Sequence, residues 1–193
     1  MAQASPLHQA SPLRQSKYCV MKRAHSQPAP VEPPPDEAVR KLLSKVGGTL
    51  EQALDSRELK WSSIELDADD AKVVAHVVAA STVLQKLVLG ANSIGDAGAA
   101  AIAEALKVNR VLTTLVLHFS HISDAGAAAI AGALKVNVVL RELWLNNNSI
   151  GDEGAADLGE ALRVNRVLTS LNLYKNKVRH DGSRHGRGHI PGN

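Results

Sequence analysis

The chain has 193 residues, of which 45% are hydrophobic and only 3% aromatic, with a formal net charge of +3 and a single cysteine, Cys19. This length suits one domain plus tails, and its core must be built from Leu, Val, Ile and Ala. One cysteine excludes an intrachain disulfide and favours a reducing compartment such as the cytoplasm. No apolar run approaches the roughly 20 residues that span a bilayer, so we expect no membrane partner.

The positive charge is concentrated at the two ends of the chain. Residues 1–36 carry four basic and two acidic side chains, and residues 175–193 carry five and one. The segment between them is therefore net negative, and we expect no nucleic-acid partner for the folded part.

Residues 1–36 hold seven of the eight prolines and no acidic residue before Glu32, which predicts a disordered tail. The lack of early acidic residues also resembles a mitochondrial transit peptide, but the prolines disfavour the amphipathic helix that such a peptide needs. At the other end, residues 183–193 form a second predicted disordered tail, which is basic.

Residues 37–60 predict a helical cap. Thr49 and Gln52 fit a capping box at the start of a second short helix. The first helix, which a glycine pair ends, has apolar residues at helical spacing: Val39, Leu42, Leu43 and Val46.

An internal repeat of 28 residues dominates the rest of the sequence. Four copies begin with the pattern L-x-x-L-x-L, at Leu84, Leu112, Leu140 and Leu168. In each copy the x-L-x-L part alternates, which predicts a short strand with buried leucines. The remainder has helical spacing, and Asp96, Asp124 or Asp152 stands where a carboxylate caps free backbone N–H groups.

The pattern L-x-x-L-x-L-x-x-N-x-I-G-D-x-G-A over residues 61–182 resembles the ribonuclease-inhibitor class of leucine-rich repeats. The resemblance implies an α/β solenoid, a short curved horseshoe with a parallel sheet on the concave face and helices on the convex face. It assigns structural roles to Asn92, Asn148 and Asn176, and to the turn and packing glycines Gly98, Gly126 and Gly154. Ser120 replaces one asparagine, which predicts a looser turn. Ribonuclease inhibitor itself has many cysteines, so ribonuclease is not the expected ligand.

The two ends of the repeat array differ from the middle. Ile64 and Leu66 match Leu87 and Leu89 at a distance of 23 residues, which predicts a short first repeat lacking five residues of the turn. After Gly182 the expected helix is absent, so Leu171, Leu173 and a sheet edge are left under-covered. We expect either a fragment of a longer array or self-association through this edge.

No motif predicts catalysis, a cofactor or a structural metal. His118 and His121 have metal-compatible spacing, but no carboxylate or cysteine accompanies them, so surface histidines are the favoured interpretation. No glycine-rich phosphate loop is present, and no Ser, His and acid set recurs at one end of the sheet.

The repeats differ from one another where a partner would bind. Between residues 84–111 and 112–139 nine positions differ, and six of these fall within 85–93, on the strand and the following turn. Drift after duplication is the alternative explanation.

The predicted partner-binding residues of the concave face are Trp144, Phe119, Tyr174, His118, Glu142, Asn146, Asn147, Asn172 and Lys86. Three of the five aromatic residues are among them, as in protein-binding hot spots, although Phe119 under a neighbouring turn and Tyr174 over the open end are alternatives.

The sequence therefore predicts a non-enzymatic scaffold that binds a protein of unknown identity. A regulator of a small GTPase is one alternative, because Ran GTPase-activating proteins have similar repeats, but the turns GANS, HFSH, NNNS and YKNK lack the arginine that such a role requires. A stand-alone relative of the repeat domain of NOD-like immune receptors is another.

Overall fold

A parallel sheet organises residues 34–179, the part of the chain that the computed structural model describes. Its strands lie side by side in chain order. They are β1 (Glu58–Lys60), β2 (Lys86–Val88), β3 (Thr114–Val116), β4 (Glu142–Trp144) and β5 (Ser170–Asn172). Pairing is in register, so the central leucines form one row: Leu59, Leu87, Leu115, Leu143 and Leu171.

One helix connects each strand to the next, as parallel pairing requires. Two helices precede the sheet, α1 (Asp36–Val46) and α2 (Leu50–Leu54). The connecting helices are α3 (Ala68–Ala80), α4 (Gly95–Val108), α5 (Asp124–Leu134) and α6 (Asp152–Val164). Each packs against its neighbours in the series, so helices and sheet form two layers. The predicted α/β leucine-rich-repeat solenoid is confirmed.

The core lies between these layers and is made of aliphatic side chains. Leucines of the three central repeats are fully buried, and alanines on the inner helix faces lie against them, as at Ala99, Ala103 and Ala127. Small residues there let successive helices approach closely, while the leucines fill the space below the sheet. Burial of each leucine contributes about 2 kcal/mol to folding.

The first repeat is complete, and the prediction of a short one was wrong. β1 pairs with β2 so that Leu59, rather than Ile64, lies opposite Leu87, at the full 28-residue distance. Trp61 occupies the position of Leu89, and its side chain is largely buried. A tryptophan in place of a leucine hid this copy. The repeats therefore begin before residue 61, inside the segment that was assigned to the helical cap.

The cap itself packs on the first repeat through α1 and α2. The capping box at Thr49 and Gln52 is present. Leu42 of α1 is fully buried. Lys45 reaches the buried carboxylate of Asp70 at 2.6 Å, which joins α1 to the start of α3.

Coverage decreases at the last described strand. Leu168, Leu171 and Leu173 are only partly buried, whereas their counterparts in the preceding repeat are fully buried. The predicted tails, residues 1–36 and 183–193, lie outside the described residues except for 34–36, where α1 begins at Asp36. Cys19 also lies outside them. Within residues 34–179, no helix is long and apolar enough to cross a membrane.

Candidate functional site

The sheet face is the outward side of strands β1 to β5 together with the three residues that follow each strand. Side chains alternate across a strand, so burial of the central leucines leaves their neighbours facing outward. Lys86, Glu142 and Trp144 are exposed there, and Asn172 is partly buried. All four were predicted for this surface.

A left-handed turn follows each strand and sets the direction of the next side chains. The third residue after each strand has a positive φ, between 51° and 57°; these residues are Ser63, Ala91, Phe119, Asn147 and Lys175. Glu65 and His121, two residues further on in the first and third repeats, also have a φ of 57°. The N–H groups of the first four of these turn residues donate to the next repeat, as from Phe119 to the Asn146 carbonyl at 3.2 Å. The turn thus holds Phe119 in a conformation that a bulky residue rarely adopts.

Asparagines fasten these turns to one another. Asn148 Oδ1 accepts from the N–H groups of Ser120 and Ile122, both at 3.0 Å. Its Nδ2 donates to the carbonyls of Leu117 and Leu145. Equivalent bonds are made by Asn92 and Asn176, so each of these residues joins its own repeat to the preceding one.

Ser120, where an asparagine was expected, is buried but has a shorter reach. Its hydroxyl donates to the His118 carbonyl within its own repeat at 3.3 Å. The link to the preceding repeat is made by the backbone instead, because the Gly95 N–H donates to the Ser120 carbonyl at 2.9 Å. Gly95 has φ +61°, which glycine adopts without strain.

The predicted capping aspartates act on the next repeat rather than on their own helix. Asp96 Oδ1 accepts from the N–H groups of Ser123 and Gly126, at 2.7 and 3.0 Å. Asp124 does the same for Gly151 and Gly154, at 2.6 and 2.9 Å. Each carboxylate therefore caps the start of the following helix.

This capping explains the predicted glycines in the first helical turn. A Cβ at Gly126 would lie 2.6 Å from Asp96 Oδ1, and one at Gly154 would lie 2.7 Å from Asp124 Oδ1. A Cβ at Gly98 would instead crowd Ile94 and Ala71. The three glycines allow close contact between successive repeats.

An aromatic cluster lies at the carboxyl ends of β3, β4 and β5. Phe119 is 54% exposed, Trp144 39% and Tyr174 69%, so none of them serves the core. His118 contacts the Phe119 ring edge to face, with centroids 5.9 Å apart. The Lys175 ammonium lies 5.5 Å from the centre of the Tyr174 ring. The alternative in which Phe119 tucks under a neighbouring turn was wrong.

Asparagines border this cluster. Asn172 Oδ1 accepts from the Tyr174 N–H at 2.9 Å and so orients that residue. Asn146 and Asn147 are partly buried. Among the described residues, Asn146 Oδ1 has no hydrogen-bond partner, although it is shielded from solvent. The surface thus combines exposed rings with amide groups.

Charged residues occupy the opposite end of the sheet face, at β1 and β2. Glu58 lies 2.9 Å from Lys86 and 3.2 Å from Lys60. The hydrogen bond from Lys86, followed by that from Lys60, lowers the pKa of the Glu58 carboxyl. Sequence reasoning missed Glu58 and Lys60 because it placed the first strand too late.

His118 and His121 have different surroundings. His118 lies against the Phe119 ring, whereas His121 lines an open cleft of about 490 Å³ together with Glu65, Asp67 and Phe119. In the described part of the chain, no group of three His, Cys, Asp or Glu residues is arranged to hold a metal ion.

Comparisons with known proteins agree with this architecture. A family model described as "Leucine Rich repeat" matches residues 80–103, 108–131 and 136–159. No curated protein sequence matches significantly.

Two solved structures share the fold at low sequence identity. One is described as "Leiomodin-1 Actin-Binding Site 2"; it has 22% identity and a TM-score of 0.60, over 72% of this chain and 78% of that one. Another is a tropomodulin C-terminal domain from Caenorhabditis elegans, with 16% identity and a TM-score of 0.59, over 70% of this chain and 81% of that one. With its in-register leucine row and three matched repeats, the chain is a leucine-rich-repeat protein.

Proposed function

We propose that this protein is a non-enzymatic, cytoplasmic scaffold that binds a protein partner on the sheet face, with the aromatic cluster of Phe119, Trp144 and Tyr174 as the centre of contact. The observation that carries the proposal is the exposure of three rings from three successive repeats at one end of the sheet. Aromatic side chains bury a large area at a small entropic cost, which is why they dominate binding energy at interfaces.

The backbone at Phe119 supports this role. A phenylalanine with φ +51° and a half-exposed ring gains little in folding and costs conformational free energy. Asparagine or glycine would serve the turn better. A bulky ring at this position is therefore best explained by what it contacts in a complex.

The partner chemistry follows from the groups around the rings. Asn146 and Asn147 are partly exposed and place side-chain amides beside the rings. We expect a protein surface with an apolar pocket and hydrogen-bonding groups at its rim. Actin is the first protein to test, because the leiomodin domain of similar fold is described as an actin-binding site.

The proposal is tested by photo-crosslinking from positions 144 and 132. Benzoylphenylalanine replaces Trp144 in one variant and Gly132 in the other, since Gly132 lies on α5 with open space around it. Purified actin is added first, then a cell extract. We expect the partner to be cross-linked by the variant with benzoylphenylalanine at position 144 and not by the variant with it at position 132. Trp144→Ala should weaken the captured partner's binding roughly 30-fold, the scale of a hot spot, with an unchanged circular dichroism spectrum. Cross-links from position 132 alone, or unchanged affinity, would overturn the proposal.

The GTPase alternative has its own assay. Stimulated GTP hydrolysis by a small GTPase would assign that role. In the described turns after β2 to β5, no arginine side chain stands ready to supply the transition-state charge.

Self-association is a second candidate, favoured by the partial burial of Leu171 and Leu173 beside β5. Pairing of two β5 edges would cover both leucines. Sedimentation of the full chain and of its Leu171→Lys variant tests this self-association. A dimer is expected for the unaltered chain and a monomer for the variant. A monomer at all concentrations would rule it out.

A further inference from the structure

Exposed large aliphatic side chains collect at one edge of the described residues. Of the nine large hydrophobic residues exposed in the described part of the chain, five are valines at the last residue of a helix or in the loop between that helix and the next strand. We call them the valine ridge: Val83, Val108, Val136, Val138 and Val164. Three of the others are the rings of the aromatic cluster. The ridge lies at the amino ends of the strands and the aromatic cluster at their carboxyl ends.

The ridge is periodic and rigidly supported. Val108, Val136 and Val164 are 28 residues apart, and each precedes an asparagine that anchors its repeat to the previous one. Asn109 Nδ2 donates to the Val78 carbonyl and Asn137 Nδ2 to that of Leu106, both at 2.7 Å. Val108, Val136 and Val164 are thus held at equivalent places in successive repeats, whereas Val83 and Val138 lie in the loops before β2 and β4.

Folding does not account for these valines. Val136, Val138 and Val164 are 53%, 61% and 60% exposed, so most of their apolar surface stays in water. The neighbouring asparagines already bind the free carbonyls at the helix ends. A polar residue would serve equally well at each of these positions, and exposed apolar residues that recur along one edge of a surface indicate a binding site.

Basic side chains accompany the valines. A basic residue immediately precedes each of the three periodic valines: Lys107, Lys135 and Arg163. An arginine also follows the asparagine in two of the repeats, at Arg110 and Arg166. Lys107 pairs with Glu104 at 2.6 Å and Lys135 lies 3.7 Å from Glu160, both exposed pairs of little strength. No arginine of the ridge forms an ion pair within residues 34–179. The C-terminal end of a helix favours basic residues, which accounts for the Lys and Arg side chains but not for the exposed valines.

We infer that the valine ridge docks an acidic amphipathic helix of a second partner protein. Packed helices lie about 8–10 Å apart, close to the roughly 10.8 Å that two turns of a helix span. A helix laid across the repeats can place one aliphatic side chain beside each of Val108, Val136 and Val164. Glu or Asp residues between them face the Lys and Arg side chains. This site is separate from the aromatic cluster, so one chain can hold two partners.

Two synthetic helical peptides test the inference on the full chain. Both carry leucine at every seventh position; the flanking charges are Glu in one and Lys in the other. We expect the Glu peptide to bind at least about tenfold more tightly. The double variant Val136→Ser with Val164→Ser should weaken it roughly tenfold, and Lys135→Glu with Arg163→Glu should reverse the preference. Trp144→Ala, which is remote from the ridge, should leave the affinity for the Glu peptide unchanged.

Several results would overturn the inference. In the first, the Glu peptide does not bind at concentrations up to about 1 mM. In the second, the two peptides bind equally tightly. In the third, Trp144→Ala by itself abolishes binding of the Glu peptide. Binding to phosphatidylserine vesicles without binding to the Glu peptide would assign the ridge to a lipid surface instead. Self-association that the valine variants abolish would assign it to a second copy. Unchanged circular dichroism confirms that the exposed substitutions leave the fold intact.

Discussion

The imidazole ring of His118 lies directly over Gly90 of the preceding repeat, so that any Cβ at position 90 would overlap the ring. The same ring contacts Phe119 edge to face. Gly90 therefore makes room for His118, and His118 in turn supports the exposed ring beside it. The glycine of one repeat thus orients the aromatic residue of the next.

Gly90→Ala should displace His118 and disturb Phe119 without unfolding the chain, because a side chain can move aside more easily than backbone. The ring-proton resonances of His118, whose ring contacts Phe119 edge to face, should shift toward those of a free histidine, and partner affinity should fall. Gly132→Ala is the control. Nothing lies within 4 Å of that position, so it should leave the resonance unchanged and stabilise α5 by up to about 1 kcal/mol.

Phe119→Asn should stabilise the fold while weakening binding. Asparagine tolerates the left-handed backbone at φ +51°, so the free energy of unfolding should rise by about 1 kcal/mol in a urea titration. Partner affinity should fall, because the exposed ring is lost.

Ala91→Asn is the matched control for this substitution. Ala91 has φ +57° at the equivalent place in the preceding repeat. Stability should increase there as well, with binding unchanged. A loss of stability in Phe119→Asn would show that the ring supports the fold, contrary to this interpretation.

Asn148→Ala should be strongly destabilising. The substitution removes the acceptor for the Ser120 and Ile122 N–H groups and the donor to two carbonyls. Unsatisfied backbone groups in this turn should lower the free energy of unfolding by about 3 kcal/mol. In the same turn, Asn146→Ala removes an oxygen that has no partner among the described residues, so its effect should be small. Equal effects of the two variants would contradict the bonding role of Asn148.

The contact between Lys41 and Asp67 should make stability depend on pH. Lys41 donates to Asp67 Oδ2 at 2.6 Å, and this hydrogen bond holds the pKa of the Asp67 carboxyl well below its ordinary range. Because the folded pKa is lower than the unfolded one, the ionised carboxylate stabilises the fold at neutral pH, and this contribution is lost as the pH falls through the acid range.

Lys41→Met tests this linkage. The difference in melting temperature between the two proteins should be largest near about pH 7 and should shrink toward about pH 3. The effect should be modest, since both side chains are nearly half exposed. A difference that stays constant across this range would exclude the ion pair as its cause.

The sequence by itself determined the repeating unit, the buried leucines and the order of strand, turn and helix. A period of 28 residues with two inward leucines per strand leaves one way to bury them, which is to stack the copies. The sequence also predicted that Phe119, Trp144 and Tyr174 are exposed, since they stand outside the leucine pattern, and the structure confirms that exposure.

Only the tertiary structure decided which repeat each polar side chain serves. Asp96 bonds to Ser123 and Gly126 across the helix interface, and Asn109 bonds to the Val78 carbonyl of the preceding repeat. The first strand was hidden because Trp61 replaces a leucine, and strand pairing revealed it. Hydrogen bonds between repeats depend on distances across the stack, and a periodic pattern along the chain does not contain those distances.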